Sequence, residues 1–173
     1  MGFELFHPVI ITSRSDTAHI LNSSTRNPGI KHILSITDPS DKPPFGFSAS
    51  NAHKKQLIFE DVRDPNLTMA PSKGDVAQII QFCEKWPVGD MGIIHCFAGQ
   101  SRSTAAAAIL YQIWYKDPVK ANDALRETVG WGLQNGYRKS KGYFPNTLMI
   151  SIADELMGMN GQLASAITGG VFG

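Results

Sequence analysis

Short apolar runs and longer amphipathic segments alternate along most of the chain. Four short runs predict β-strands, at residues 9–12, 30–37, 56–59 and 91–94, because they are apolar, β-branched and bounded by turn-forming residues. Five longer segments predict helices, at residues 16–21, 72–86, 103–115, 117–130 and 146–157. Strands that alternate with helices are typical of an α/β fold, in which helices flank a central, mostly parallel sheet.

Two of the predicted helices carry especially clear patterns. Ser72 and Asp75 have the spacing of a capping box, and the apolar side chains that follow, Cys83 among them, share one face of a helix. We therefore expect Cys83 to be a small buried thiol rather than a disulfide partner. The segment 103–115 is apolar nearly all round, which predicts a buried central helix.

The composition is that of an ordinary globular domain. The chain has 173 residues, of which 42% are hydrophobic and 18% charged, so residues 1–173 are predicted to form one domain with one core. The small residues and glycines near the C-terminus predict a frayed tail at residues 158–173. A formal net charge of +1 gives no reason to expect binding to nucleic acid or to a membrane surface. We expect a monomer. Because the net charge is so small, any affinity for an anion such as phosphate must come from a local site.

Cysteine usage indicates the cellular compartment. The two cysteines, Cys83 and Cys96, are too few for a disulfide framework, and a nucleophilic thiolate works only where it stays reduced. The first residues lack the basic start and long apolar stretch of a secretion signal, and no run reaches the ~18 apolar residues of a membrane span. We therefore expect a cytoplasmic protein.

The candidate chemistry lies in residues 96–102, between the last predicted strand and the long apolar helix. In a strand, loop and helix arrangement, backbone N–H groups curl around an anion, and the positive end of the helix dipole points to the same place. Gly99 has no side chain that would obstruct the approach of the backbone to a ligand. Arg102 has a planar set of N–H donors that can bind two phosphate oxygens at once. Cys96 is then expected in an electropositive pocket that favours the nucleophilic thiolate.

The pattern His95, Cys96, two residues, Gly99, two residues, Arg102 and Ser103 resembles the signature of the cysteine-dependent protein tyrosine phosphatase superfamily, in particular its compact dual-specificity type and bacterial members. The resemblance implies an α/β fold and a two-step hydrolysis, in which Cys96 attacks a phosphomonoester and water cleaves the phosphocysteine. It also implies that Arg102 holds the phosphoryl group, that Ser103 helps the sulfur to leave and that His95 orients the loop. The other residues expected to contact phosphate are Phe97, Ala98, Gly99, Gln100 and Ser101.

The reaction needs an acid that protonates the departing oxygen, above all for a poor alkoxide leaving group. Asp61 follows the predicted strand 56–59, and by the same resemblance it matches the aspartate that comes after a phenylalanine-containing strand end. Asp64, in the same segment, is the alternative acid. Glu60 is a weaker candidate, because strand geometry points it to the side opposite Asp61.

Three further features complete the list of candidates. By the resemblance, Asn146 supports the loop 96–102 through hydrogen bonds, with an ordinary helix cap as the alternative interpretation. Residues 131–144 combine aromatic and basic side chains and are predicted to be a solvated connecting loop, with contact to the substrate as the alternative. We expect neither metal nor cofactor, because metal-ligand spacing is lacking among the remaining histidines, namely His7, His19, His32 and His53.

The interior of the candidate loop limits the substrate. Residues 97–101 contain no lysine, whereas phosphatases of multiply phosphorylated inositol lipids tend to carry basic residues there. The leading hypothesis is therefore hydrolysis of phosphotyrosine, with phosphoserine and phosphothreonine as further substrates. The second is hydrolysis of a small phosphorylated metabolite, such as an inositol phosphate or a nucleotide. The third is a phosphate-binding module without turnover, against which the presence of Cys96, Arg102 and an acid argues.

Overall fold

The structure, a computed structural model, describes residues 9–169 and contains a four-stranded parallel sheet in the order β1-β4-β2-β3. The strands are β1 (Val9–Ser13), β2 (His32–Thr37), β3 (His53–Ile58) and β4 (Gly92–Cys96). Because the strands run in the same direction, their carboxyl ends lie at one edge of the sheet. The loops that follow them meet at this edge, which is where the candidate site lies.

Helices flank the sheet, so the predicted α/β fold with a parallel sheet is confirmed. They are α1 (Arg14–Leu21), α2 (Lys73–Glu84), α3 (Arg102–Tyr115), α4 (Pro118–Gln134), α5 (Thr147–Leu156) and α6 (Gln162–Thr168). Successive side chains of the strands alternate between two apolar clusters, as the period of a strand requires. Ile11 and Ile94 belong to the large cluster, while Ile10 and Ile93 pack with Ile20 of α1 in a smaller one. None of the helices within residues 9–169 is long and apolar enough to cross a membrane.

Helix α3 lies at the centre of the large cluster, as its apolar sequence predicts. Its residues 105–110 are fully buried, and four of the six are alanines. Small side chains allow the helix to pack closely on the sheet, and α3 contacts α2, α4 and α5 on its other sides. This tight packing holds the first turn of α3, which carries Arg102 and Ser103, in a defined position beside the end of β4.

Several strands and helices begin or end at residues other than those predicted. β3 begins at His53 rather than at residue 56, because its polar first residues pair with β2 along one register. α4 continues to Gln134 rather than ending at residue 130, so the predicted connecting loop 131–144 begins inside a helix. The capping box at Ser72 forms as predicted, and Cys83 is fully buried, which raises the pKa of its thiol.

The predicted frayed tail is wrong for residues 158–169. Helix α6 packs into the core through Leu163 and Ile167, which are buried. The Asp154 carboxylate accepts hydrogen bonds from three backbone N–H groups at the start of α6 and thereby caps the helix. Residues 170–173 lie outside the described range, so the prediction for them stays open.

Candidate active site

The loop at residues 96–102, called the phosphate loop below, is held from outside through its carbonyl groups. Four of these carbonyls accept hydrogen bonds from segments that are distant in sequence. The pairs are Phe97 with the N–H of Arg14 at 3.2 Å, Gly99 with Nη1 of Arg138 at 2.8 Å, Gln100 with the N–H of Phe144 at 2.8 Å and Ser101 with the N–H of Asn146 at 3.1 Å. Segments that are distant in sequence therefore fix the outer side of the phosphate loop.

The backbone N–H groups of the phosphate loop face the opposite way. A trans peptide unit holds its N–H opposite its C=O, so carbonyls that point outward turn the N–H groups inward. Within the described part of the chain, no N–H group of residues 97–101 has a hydrogen-bond acceptor. A ring of unsatisfied backbone donors next to a helix N-terminus forms a concave site for an anion.

Gly99 is required by the neighbouring strand. Its φ is 75°, in the left-handed region that disfavours side chains, and an added Cβ would lie 2.6 Å from the carbonyl carbon of Thr12. The predicted reason, close approach of the loop to a ligand, is therefore corrected. The glycine allows the back of the phosphate loop to pack directly on the backbone of β1.

Cys96 ends β4 at the base of the phosphate loop and is 2% exposed. Its Sγ lies 3.2 Å from the Oγ of Ser103, to which the thiol donates a hydrogen bond. Ser103 is fully buried in the first turn of α3. Once the sulfur is ionised, the same contact allows the Ser103 hydroxyl to donate to the thiolate, which is the geometry that the predicted role of Ser103 requires.

His95 is buried behind the phosphate loop. Its Nδ1 lies 3.1 Å from the carbonyl oxygen of Cys96 and its Nε2 lies 2.7 Å from the Oγ of Ser35. Burial lowers the pKa of His95 to about 4, although the hydrogen bond to Cys96 acts in the other direction. The ring is therefore neutral near pH 7, with its proton on Nδ1, and it connects the start of the loop to β2.

Arg102 is 3% exposed and lies in the first turn of α3. Its Nη1 donates to the carboxylate of Asp38 at 2.8 Å and to the carbonyl oxygen of Phe59 at 2.7 Å. Its Nε is buried and has no acceptor among the described residues. A buried guanidinium that is fixed on one side and retains an unpaired donor is suited to holding a phosphoryl oxygen.

The phosphate loop forms the floor of a cavity of about 730 Å³. The walls come from the loops that follow β2 and β3 and from the segment before α5. Besides the loop itself, the lining residues are Asp38, Pro39, Ser40, Glu60, Asp61, Val62, Arg63 and Phe144. Among residues 9–169 there is no group of three side chains that could hold a metal ion.

The acid candidates differ in where they lie. Asp61 lines the cavity, and its Oδ1 accepts hydrogen bonds from Ser101 Oγ at 2.6 Å and Asn146 Nδ2 at 2.8 Å. Asp64 does not line the cavity, and its carboxylate accepts from the N–H of Asn66 within its own turn. The expectation that Glu60 points away from Asp61 is wrong, because β3 ends at Ile58 and both residues line the cavity.

Asn146 combines the two interpretations that its sequence position allows. Its Oδ1 accepts from the N–H of Met149 at 3.0 Å and caps α5. Its Nδ2 donates to Asp61 and to the carbonyl of Val62, and its backbone N–H binds Ser101. The fully buried amide therefore connects the start of α5, the Asp61 segment and the phosphate loop.

The segment between α4 and α5 is not a solvated loop. Arg138 is 4% exposed and donates to the carbonyl oxygens of Ile11 and Gly99, and Ser140 accepts a 2.6 Å hydrogen bond from the Gln100 amide. The segment therefore packs against the back of the phosphate loop. The prediction of a solvated connection is wrong for these residues.

Three residues of the site escape sequence reasoning. Asp38 directly follows β2, and its position at the carboxyl edge of a parallel sheet is a signal that could have singled it out. Ser35 is a polar residue within a fully buried strand, which is a weaker signal. Arg138 lies in the segment 131–144, whose aromatic and basic side chains are visible in the sequence, but no pattern indicates its contacts with the back of the phosphate loop.

No family model matches the chain, and no curated protein matches its sequence. The strand, loop and helix define an α/β domain with a candidate anion site at the carboxyl edge of its sheet. Comparison with solved structures shows that this fold is similar to the folds of PTPMT1 and of the phosphatase domain of Yvh1.

Three solved structures support this assignment of the fold. PTPMT1 is 14% identical with a TM-score of 0.52, and the match covers 90% of this chain and 96% of that chain. The phosphatase domain of Yvh1 from Chaetomium thermophilum is 16% identical with a TM-score of 0.51, and the match covers 92% and 96%. PTPMT1 in complex with PI(5)P is 13% identical with a TM-score of 0.52, and the match covers 89% and 95%. The resemblance stated from the sequence is thereby confirmed at the level of the fold.

Proposed function

We propose that the protein is a cysteine-dependent phosphomonoesterase that acts on phosphotyrosine, with phosphoserine and phosphothreonine as further substrates. The observation that carries the proposal is the build of the phosphate loop. Its carbonyls are bound from outside, its N–H groups are left for an anion, the Cys96 thiol lies at its base, and Arg102, whose Nε is unpaired among the described residues, lines the same cavity. A thiolate in contact with a cradled phosphoryl group is the arrangement required for nucleophilic attack at phosphorus.

In the first step the Cys96 thiolate attacks the phosphorus atom, and a sulfur–phosphorus bond forms. The bond from phosphorus to the leaving oxygen breaks, its electron pair goes to that oxygen, and Asp61 in its acid form supplies the proton. Arg102 and the backbone N–H groups stabilise the charge on the other phosphoryl oxygens. Both hydrogen bonds that Asp61 accepts from Ser101 and Asn146 are made to Oδ1, and we assign the proton to Oδ2.

In the second step water attacks the phosphocysteine and the sulfur–phosphorus bond breaks. The Asp61 carboxylate takes a proton from the water, so the same group serves as acid and then as base. The departing sulfur regains its negative charge, and the hydroxyl of Ser103 donates a hydrogen bond to it. Phosphate leaves and the enzyme returns to its starting state. Because the thiol must stay reduced, this chemistry favours a cytoplasmic location.

The rim of the cavity supports an aromatic monophosphate. Phe97 is 61% exposed and Phe144 is 64% exposed, and both line the cavity beside the phosphate loop. Exposed aromatic rings next to a polar site offer a stacking surface to an aryl group. The cavity is lined by three carboxylates, those of Asp38, Glu60 and Asp61, and by two guanidinium groups, those of Arg63 and Arg102. This lining has no excess of positive charge, which disfavours substrates with several phosphates.

One observation favours a second candidate substrate. The structurally similar PTPMT1 is described in complex with PI(5)P, which carries a phosphate on an inositol ring. A small phosphorylated metabolite such as an inositol monophosphate is therefore the alternative. A panel of phosphotyrosine peptides, phosphoserine peptides, inositol phosphates and nucleotides separates the two. We expect the highest kcat/KM for phosphotyrosine peptides, and a preference for a small metabolite by orders of magnitude would contradict this.

Replacement of the nucleophile tests the reaction itself. Cys96→Ser is expected to lower the hydrolysis of an aryl phosphate by at least about a thousandfold, because the hydroxyl is a far weaker nucleophile at neutral pH. Binding of inorganic phosphate, measured by calorimetry, is expected to persist because the backbone donors remain. The matched control is Cys83→Ala, which changes the other, buried cysteine and should retain turnover.

Two results would contradict the proposal. Undiminished turnover in the Cys96→Ser variant would exclude the phosphocysteine mechanism. A wild-type protein that binds phosphate but hydrolyses none of the panel would establish a binding module instead.

A further inference from the structure

Arg138 is a buried arginine without an acidic partner. It is 4% exposed, and within residues 9–169 no carboxylate forms an ion pair with it. Its partners are carbonyl oxygens, and they cover all three nitrogens of the guanidinium. The bonds are Nε to Ser140 at 2.8 Å, Nη1 to Ile11 at 3.1 Å, Nη1 to Gly99 at 2.8 Å and Nη2 to Gly142 at 3.0 Å.

These partners belong to three different parts of the site. Ile11 lies in β1, Gly99 lies in the phosphate loop, and residues 140–142 lie in the segment that leads to α5. Gly132 of α4 packs against the Arg138 side chain, since an added Cβ would lie 3.4 Å from its Cγ and Cδ. One planar side chain therefore fixes the distance between the loop and the strand behind it.

Among the described residues Arg138 forms no ion pair and its charge is solvated by carbonyl dipoles, while Asp16 and Lys139, which line the same cleft, pair with each other at 3.1 Å. Burial lowers the pKa of Arg138, and the charges of Cys96 and Tyr143 act in the opposite direction. Arg102, in contrast, is paired with the carboxylate of Asp38. The two arginines thus differ. Arg102 forms an ion pair with Asp38, whereas Arg138 has no ion-pair partner among the described residues and binds the Gly99 carbonyl of the phosphate loop.

We infer that Arg138 is a positioning residue of the phosphate loop, which holds the Gly99 carbonyl away from the anion and whose buried charge favours the thiolate form of Cys96. The inference deepens the proposed function and rests on it, because it assigns a role to Arg138 in the chemistry of Cys96. It acts through the loop and the sulfur and does not require contact with the substrate.

Other charged groups surround Cys96 as well, and the test must separate them from Arg138. His95 is neutral because its pKa is about 4. Five charged residues line the cavity together with Cys96, namely Asp38, Glu60, Asp61, Arg63 and Arg102. Arg14 interacts with the neighbouring His95, and the ionisable groups close to Arg138 itself are Asp16, Lys139 and Tyr143. All of these are retained when only Arg138 is changed.

The experiment measures the rate of Cys96 alkylation by iodoacetamide as a function of pH, with mass spectrometry to identify the modified cysteine. In Arg138→Met we expect the midpoint of this profile to rise by about one pH unit, because the thiolate loses a nearby positive charge. In Arg138→Lys we expect a midpoint close to that of the wild type, together with about tenfold weaker binding of inorganic phosphate, because an ammonium cannot bind all four carbonyls. Arg126→Met, which removes an exposed arginine from α4, is the control and should change neither quantity.

Circular dichroism establishes that each variant is folded. If Arg138→Met does not fold, Arg138→Gln replaces it, since glutamine keeps a hydrogen-bond donor without the charge. An unchanged midpoint in a folded, uncharged variant would overturn the inference, and so would unchanged phosphate binding in Arg138→Lys. Alkylation does not depend on turnover, so failure of the proposed phosphatase activity, seen as a wild-type protein inactive on every substrate, is recognised separately.

Discussion

The two ends of the parallel sheet each carry a polar cluster, and the clusters differ in how completely their donors are satisfied. At the amino end, His32 Nδ1 lies 3.1 Å from His53 Nδ1, and His32 Nε2 lies 2.9 Å from the carboxylate of Asp90. The rings of Trp86 and Phe82 stack on the two histidines. His32 and His53, which lack metal-ligand spacing in the sequence, thus belong to one structural cluster, while His7 lies outside the described residues.

At the carboxyl end, several polar groups have no hydrogen-bond partner. The N–H groups of residues 97–101 have no acceptor within the described chain, and neither has the buried Nε of Arg102. These groups lie around a cavity, whereas at the amino end aromatic rings stack on the histidines. Hydrogen-bond donors without an acceptor therefore mark a candidate binding site where they lie beside a cavity. The presence of histidines and carboxylates alone does not mark one.

Glycines at the two ends show the same contrast. An added Cβ at Gly92, at the start of β4, would lie 2.2 Å from a ring carbon of Trp86, so this glycine makes room for a side chain that closes the amino end. Gly99 makes room for the backbone of β1 and thereby shapes an open loop. Mutations at the carboxyl end should therefore change catalysis more than stability, and the reverse should hold at the amino end.

After Cys96→Ser, the largest effect is expected from Arg102→Lys. Lysine keeps the positive charge but loses the planar fork and the fixed Nε, so kcat/KM for an aryl phosphate should fall about a hundredfold or more. Steady-state kinetics measures this loss, and thermal unfolding shows whether the fold is retained. Arg126→Lys, at an exposed position of α4, is the control. A loss of less than about fivefold would show that charge alone is enough at this position.

The acid assignment is tested by comparing Asp61→Asn with Asp64→Asn. We expect Asp61→Asn to lower kcat about a hundredfold for an alkyl phosphate and clearly less for p-nitrophenyl phosphate, whose leaving group needs little protonation. Asp64→Asn should stay within about twofold of the wild type, because its carboxylate is engaged in its own turn. If the larger loss follows Asp64, the assignment of the acid is wrong.

A smaller effect is expected from Asn146→Ser. Serine still accepts the hydrogen bond that caps α5, but it cannot donate to Asp61 and Val62 as Nδ2 does. We expect kcat to fall about five- to tenfold with little change in Tm. Asn146→Ala should show a similar loss of kcat and in addition lower the stability by about 1 kcal/mol, because the cap is lost. Wild-type kcat in Asn146→Ser would limit the role of Asn146 to the cap.

The features that could be predicted from the sequence are those encoded over a few neighbouring residues. The apolar runs predict the strands, and the spacing from Cys96 to Arg102 predicts an anion loop between a strand and a helix. Arg138 and Ser35 could not be found in this way, because their contacts join segments that are far apart along the chain. The packing of α6 was missed since Leu163 and Ile167 are separated by small residues that weaken the apolar pattern.

The smallest effect is expected at the amino end of the sheet. Burial, followed by the charges of His32 and Lys85, lowers the pKa of His53 in the folded protein. The unfolded chain therefore binds more protons, and the contribution of His53 to stability is present above about pH 6.5 and is lost as the pH falls below that value. The deeply buried His95 acts in the same direction, since its pKa is about 4.

His53→Gln removes one of these two contributions. We expect the decrease in Tm between pH 7.5 and pH 5.5 to become smaller by about 2 °C, because the contribution of the lowered His53 pKa is lost. The kcat/KM for an aryl phosphate should stay within about twofold, since His53 lies at the end of the sheet away from the phosphate loop. His19→Gln, at an exposed position of α1, should leave the pH dependence of Tm unchanged. An unaltered Tm profile in His53→Gln, or a marked loss of kcat/KM, would contradict the separation of the two ends into a structural cluster and a catalytic one.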